Sequence, residues 1–222
     1  RDCVDAPPAK DLIMNIIYQD EDLSPSQTAQ LMDATELAVD TELTGLDVHA
    51  DRLCLVQMRA RGSDDYFLIH IRDNRDYPNV SRVLANPKSL KIFHYARMDM
   101  VMIYKRLGIW ATPVFCTKIG MLLAHPNGGH TLHHALRDIF GITLDRDECC
   151  SDWTGRLNTP QKQYAAADVM YLHLLKDYLT DTLADENRLM LARQCFDFLP
   201  TRCELDMNWG VRDIFNHNPV NS

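Results

Sequence analysis

Apolar positions along this chain follow two rhythms. Three short apolar runs, Leu37-Ala38-Val39, Leu53 to Met58 and Tyr66 to Ile71, are separated by polar, turn-like stretches, which predicts an antiparallel meander of three strands. The rhythm then changes. Asn79 to Leu84 reads as a helix, Leu90 to His94 as a short buried strand, Arg97 to Leu107 as a helix, and Val114-Phe115-Cys116 as a strand leading into a helix at Thr117 to Ala124. Strands alternating with helices predict right-handed parallel crossovers. The remainder reads as almost entirely helical. Leu132, Ala135, Leu136 and Ile139 recur at helical spacing until Gly141, and Thr159-Pro160 opens a long helix to about Leu183. A further helix is expected from about Asp185, through Leu189, Met190, Ala192, Phe196 and Leu199, until Pro200. The expected class is α/β: a mixed sheet of three antiparallel and two parallel strands, flanked by helices, with a helical C-terminal part.

At 222 residues, with 46% hydrophobic and 24% charged positions, the chain has the composition of a globular protein able to bury a sizeable core. One domain over 1–222 is expected, its core about 35–183 and a helical extension about 184–222. No apolar run approaches the roughly 18 residues that span a bilayer, and the first residues lack the order of a secretory signal, so a cytoplasmic, membrane-free protein is expected. Seven cysteines without a C-x-x-C pair predict reduced, mostly buried thiols. The net charge of −8 argues modestly against a nucleic-acid partner, although a site that holds divalent cations itself requires carboxylates.

Three short motifs carry candidate chemistry. In Ala38-Val39-Asp40-Thr41-Glu42, strand alternation puts Asp40 and Glu42 on one face. Two adjacent carboxylates at a half-buried strand end repel each other unless a cation neutralises them; two solvated surface acids are the plain alternative. In Phe93-His94-Tyr95-Ala96-Arg97-Met98-Asp99, an apolar strand gives way to a helix whose first turns carry Asp99. That places the acid at the carboxyl end of the sheet, where open α/β sheets bind ligands, although an acid there also simply complements a helix dipole. In Tyr164-Ala165-Ala166-Ala167-Asp168, the phenol and carboxylate share a helix face, and the alanines permit close approach of another element. An ordinary hydrogen-bonded surface pair would look the same.

In this order and context the three motifs resemble those of the DEDDy branch of the DnaQ-like 3′-5′ exonuclease superfamily, and ribonuclease D within it, in a short bacterial form without HRDC domains. Pro113 to Ile119, Ser151-Asp152-Trp153, Tyr164 to Leu172 and Phe198-Leu199-Pro200-Thr201-Arg202 are similar to ribonuclease D sequence, and the resemblance covers about residues 35 to 205. It implies a ribonuclease H-like fold and a metal-dependent 3′-5′ exoribonuclease working by two-metal phosphodiester hydrolysis. Asp40, Glu42, Asp99 and Asp168 are the implied metal ligands, Asp40 bridging two divalent cations. Oxygen-only ligands favour Mg²⁺ or Mn²⁺. Tyr164 is implied to orient the attacking water, Leu46 to wedge against the terminal base, and His94 to contact substrate. The implied substrates are single-stranded RNA 3′ ends such as tRNA precursors, in tRNA processing or RNA turnover, with no obligate protein partner. A DNA-directed exonuclease, or a catalytically silent nucleic-acid-binding protein on the same fold, are the alternatives.

The sequence also departs from the pattern. Too little chain follows the catalytic region to build an HRDC domain, which leaves substrate grip open, and Cys116 stands where many relatives have aspartate. The branch that uses histidine would have it five residues before the last aspartate, where this chain has Gln163. His130, His133 and His134, with Cys149 and Cys150, suggest zinc, but Thr131 stands where H-E-x-x-H needs its glutamate, so zinc is not expected. Trp153 is expected to anchor a core or loop rather than to stack on a base.

Overall fold

The computed structural model describes residues 14–145, 147–148, 150–209 and 214–215. The chain runs β1 (Asn15–Gln19), α1 (Pro25–Met32), β2 (Glu36–Leu43), β3 (Leu53–Ala60), β4 (Asp65–His70), α2 (Pro78–Leu84), β5 (Leu90–Phe93), α3 (Ala96–Leu107), β6 (Val114–Cys116), α4 (Thr117–Ala124), α5 (Leu132–Phe140), α6 (Thr159–Met170), α7 (Leu172–Asp185), α8 (Leu189–Asp197) and α9 (Leu199–Trp209).

One six-stranded sheet has the order β1-β4-β3-β2-β5-β6. β2, β3 and β4 form the expected antiparallel meander, with Asp40 opposite Gln57 and Glu42 opposite Leu55. β5 and β6 add to β2 in parallel. This is the ribonuclease H-like mixed sheet, extended by an edge strand beyond the five expected: β1 pairs in parallel with β4, from Asn15 opposite Asp65 to Gln19 opposite Ile69.

Local chemistry explains three helix starts. Ser24 and Gln27 cap α1 reciprocally, and Asn158 and Gln161 do the same for α6, each with a proline in the first turn. Thr131 caps α5, which ends at Gly141 in the left-handed conformation that favours glycine. The core joins Leu37, Val39, Val56, Met58 and Phe67 of the meander to apolar faces of α3, α4 and α7. A smaller cluster packs Trp153, Leu157 and Ala165 on Cys54, Leu55 and Leu68, so Trp153 is an anchor.

The helical half differs from expectation in two places. The long helix from Thr159 breaks at Tyr171 into α6 and α7, where Arg59 Nη1 of β3 donates to the Met170 carbonyl at 2.7 Å. The following helix starts at Leu189 rather than near Asp185, and Pro200 does not end the helical part. It sits in the first turn of α9, where its missing N–H is harmless. α9 packs on α3 through Asp206, which is buried and accepts hydrogen bonds from Arg97 (2.5 and 2.6 Å) and Arg202 (2.6 Å). Among the described cysteines, Cys54, Cys116 and Cys203 are buried free thiols, and Cys150 is exposed.

Candidate active site

The site forms where β2 outruns its neighbour. β5 pairs with β2 only as far as Ala38 opposite Ile92, so beyond Ala38 that edge of β2 is open. β5 ends at Phe93, and the chain turns through His94 and Tyr95 into α3. The first turn of α3 thereby flanks the open edge, and Thr41 Oγ1 donates to Asp99 Oδ1 at 2.5 Å. On the other face of β2, α6 crosses the sheet with Ala165 and Ala166 fully buried beneath it. The small side chains allow the close approach that carries Asp168 to the strand end. Carboxylate oxygens of Asp40, Glu42 and Asp168 lie within 4.8 Å of one another.

This packing is electrostatically unfavourable by itself. Burial raises the Asp40 carboxyl well above the ordinary aspartate value, and the neighbouring charges of Asp99, Asp168 and Glu42 raise it further. Asp99 is pushed to about 7, mainly by burial, against the lowering effect of the Thr41 hydrogen bond. A group of oxygen donors that resists ionisation when empty suits a hard divalent cation, whose charge reverses the penalty.

Two supporting residues escaped the sequence reading. Gln57, opposite Asp40 on β3, donates from Nε2 to Glu42 Oε1 at 3.2 Å and so orients that carboxylate. Thr41 does the same for Asp99. The alternation rule placed Thr41 on the face away from Asp40, and only the open strand edge brings it to Asp99. His94 is held inside the protein: Nδ1 is 2.9 Å from Thr117 Oγ1 and Nε2 is 3.1 Å from the His130 carbonyl. Burial lowers its imidazole to about 4, so the ring is neutral. It lines the site with both nitrogens engaged by protein partners, leaving its ring surface for contact.

Asp40, Glu42, Asp99, His94 and Leu46 share one open cavity of about 400 Å³. Leu46 is 78% exposed at its rim. Tyr164 and Asp168 line a smaller adjoining hollow of about 90 Å³, together with His133, and the Tyr164 ring lies 6.0 Å from that of Trp153. Two of the histidines considered for zinc are engaged locally instead: His130 Nε2 with the His125 carbonyl at 2.8 Å, and His134 Nδ1 with Thr131 Oγ1 at 2.7 Å. Cys149 lies outside the described residues. Among the described residues, the one group of acids, histidines or cysteines close enough to hold a metal is Asp40, Glu42 and Asp168.

The family model for 3′-5′ exonucleases matches residues 15–184. The chain belongs to this 3′-5′ exonuclease family. A structure of Brucella melitensis NrnC bound to pGG is 36% identical, with a TM-score of 0.85 over 93% of this chain and 100% of that one. A ribonuclease D from Jannaschia sp. is 30% identical over 156 residues, 68% of this chain and 40% of its own length. Escherichia coli RNase D, at 23% identity, shares the fold with a TM-score of 0.75 over 86% of this chain and 51% of that one. The chain spans about half the length of the curated ribonuclease D relatives it matches. The exonuclease match runs from β1 into α7 and takes in all three motifs that carry candidate chemistry. No helix among the described residues is long and apolar enough to cross a membrane.

Proposed function

We propose that this exonuclease-family chain is a metal-dependent 3′-5′ exoribonuclease that removes nucleotides from RNA 3′ ends by hydrolysis. The observation that carries the reading is the convergence of Asp40, Glu42 and Asp168 within 4.8 Å, beside Asp99 buried against Thr41. In this reading Asp40, Glu42, Asp99 and Asp168 would hold two divalent cations, Mg²⁺ or Mn²⁺. Such ions acidify water and neutralise the scissile phosphate when bound.

The side chains do the rest. Gln57 and Thr41 fix the carboxylates in position, and the Tyr164 hydroxyl holds the nucleophilic water in line. Leu46 packs its exposed side chain against the terminal base. The His94 ring, held neutral, forms a wall for the terminal nucleotide. The cavity of about 400 Å³ is open to solvent, so an RNA end can enter it, and Brucella melitensis NrnC, 36% identical, is bound to pGG. Trailers of tRNA precursors are the longer substrates of the same chemistry. The chain is further read as one folding unit acting in the cytoplasm without an obligate protein partner.

The test is digestion of 5′-labelled RNA and DNA of matched sequence, from dinucleotides to a tRNA precursor, with and without Mg²⁺ or Mn²⁺. Stepwise shortening of RNA from the 3′ end, lost in Asp40→Ala and Asp168→Ala while both remain folded, is expected. Preferential digestion of DNA would redirect the substrate assignment. Surviving activity in Asp40→Ala would place the active centre elsewhere.

A further inference from the structure

Tyr95 occupies a position whose backbone favours glycine. It lies in the turn between β5 and α3 with φ 70° and ψ 41°, the left-handed region that a Cβ disfavours. Backbone strain of this kind persists where surrounding structure imposes it, and it concentrates at functional sites. The side chain kept there is a tyrosine, 43% exposed, on the wall of the carboxylate cavity. The Lys118 ammonium, in the first turn of α4, sits 4.1 Å from the centre of its ring. The preceding residue is held from the same helix turn, where Thr117 meets His94. One short stretch of α4 therefore sets both the inner wall of the site, through His94, and its rim, through Tyr95.

Charge gives the rim a purpose. Among the described residues lining the cavity there is no lysine or arginine, and Asp40, Glu42 and Asp99 are all there. Cations held by those acids would neutralise the phosphate undergoing hydrolysis, but the next phosphate along a polyanion lies farther from them. Lys118 provides positive charge at the rim, and Tyr95 provides a π surface beside it. A single strand binds to that combination without regard to sequence.

We propose that Tyr95 and Lys118 form a subsite for the nucleotide adjoining the 3′-terminal one, the ring stacking on its base and the ammonium contacting its phosphate. The subsite rests on the exonuclease reading above, and binding and cleavage are therefore measured separately. Binding is read by fluorescence anisotropy of a 5′-labelled RNA oligonucleotide in Ca²⁺, another cation of oxygen-ligand sites; cleavage of the same RNA is read in Mg²⁺ or Mn²⁺.

Lys118→Met should weaken binding about tenfold and flatten the dependence of log Kd on log salt by about 0.7, the share of one phosphate on a single strand. Lys118→Arg should restore both. Tyr95→Gly should also weaken binding about tenfold through the lost stacking surface. Its Tm should hold or rise, because glycine accepts this backbone freely. Parental affinity and salt slope in Lys118→Met would overturn the subsite. So would a lowered Tm in Tyr95→Gly with no rescue by Lys118→Arg, because the pair would then serve only to hold the turn. A parent protein that binds RNA but cleaves none would refute the exonuclease reading instead, and its binding data would still decide the subsite.

Discussion

Thr41 and Asp99 meet at the open edge of β2, where the threonine hydroxyl donates to the buried carboxylate at 2.5 Å. The bond favours the ionised form of a carboxyl that burial, even against this contact, pushes to about 7. Thr41→Val keeps the shape of the side chain and removes the donor. Asp99 should then ionise less readily, so the concentration of Mg²⁺ or Mn²⁺ needed for half-maximal cleavage should rise. Residues that orient metal ligands typically contribute about 10–100-fold to affinity or activity, and a loss in that range is expected. An unchanged metal requirement would reduce the contact to packing.

The same shifts couple metal to pH. The Asp99 carboxyl lies at about 7 in the fold, against about 3.9 in an unfolded chain. A carboxyl raised in the folded state contributes stability that is fully present below its unfolded value and is lost as pH rises through the folded one. Asp40 is shifted in the same direction. Without metal, Asp99 therefore withdraws stability across about pH 4 to 7, Asp40 acts in the same direction, and a cation that binds the ionised cluster restores the loss. His94 and His173, both lowered to about 4 by burial, act in the opposite sense below about pH 6.5. Their effect is present with or without metal and largely cancels in the difference. The rise in Tm on adding millimolar Mg²⁺ or Mn²⁺ should be small at about pH 5 and largest near pH 8. Equal rises at both pH values would mean that the cation binds somewhere other than these acids.

Asp206 tests whether the C-terminal helices belong to the same folding unit. It is 3% exposed and joins Arg97 of α3 to Arg202 of α9. Removing the acid leaves two guanidinium groups facing each other. A fully buried pair broken in this way costs about 3–5 kcal/mol, and partial exposure of both arginines reduces the expected loss to about 2–3 kcal/mol. Asp206→Ala should lower the Tm while leaving a single unfolding transition, measured by calorimetry. Two separated transitions would detach α9 from the catalytic core.

Much of this architecture could be read from local pattern. The strand at Val114–Cys116 and the helix at Thr117–Ala124 fall where the apolar rhythm put them, and α5 begins and ends on its predicted cap and glycine. What escaped depended on distant partners. β1 is a five-residue edge strand whose pairing with β4 spans fifty positions; Ile16-Ile17-Tyr18 favours a strand locally, but its place in the sheet is set only by that distant partner. The break at Tyr171 has no glycine or proline to announce it and coincides with Arg59 reaching across from β3. For the site, side-chain alternation was enough to pair Asp40 with Glu42, and helical spacing to pair Tyr164 with Asp168. Gln57 could have been suspected as a polar residue within an apolar strand. Thr41 could not, because its contact exists only where β5 stops short.

Tyr164 separates the mechanism proposed here from one in which a histidine acts as base. An unperturbed phenol has a pKa near 10 and is mostly protonated at neutral pH, so it is a poor proton acceptor. In the proposed reading the acidity of the water would come mostly from cations held by the acids, and the hydroxyl's part is to hold that water in line. Tyr164→Phe keeps the ring and its packing beside Trp153, 6.0 Å away, and removes only the oxygen. Metal affinity, read by calorimetric titration, and Tm should stay close to the parent values. Single-turnover cleavage should fall by about 10²-fold, the scale of a lost positioning or proton-transfer contact. Asp168→Ala, one helical turn farther along α6, should lose metal affinity and cleavage together, because its carboxylate lies within 4.8 Å of Asp40 and Glu42. The two variants therefore distinguish orientation of the water from retention of the metal. If Tyr164→Phe cleaves at the parental rate, the hydroxyl has no part in the reaction, and another group lining the hollow, His133 first, must position the nucleophile.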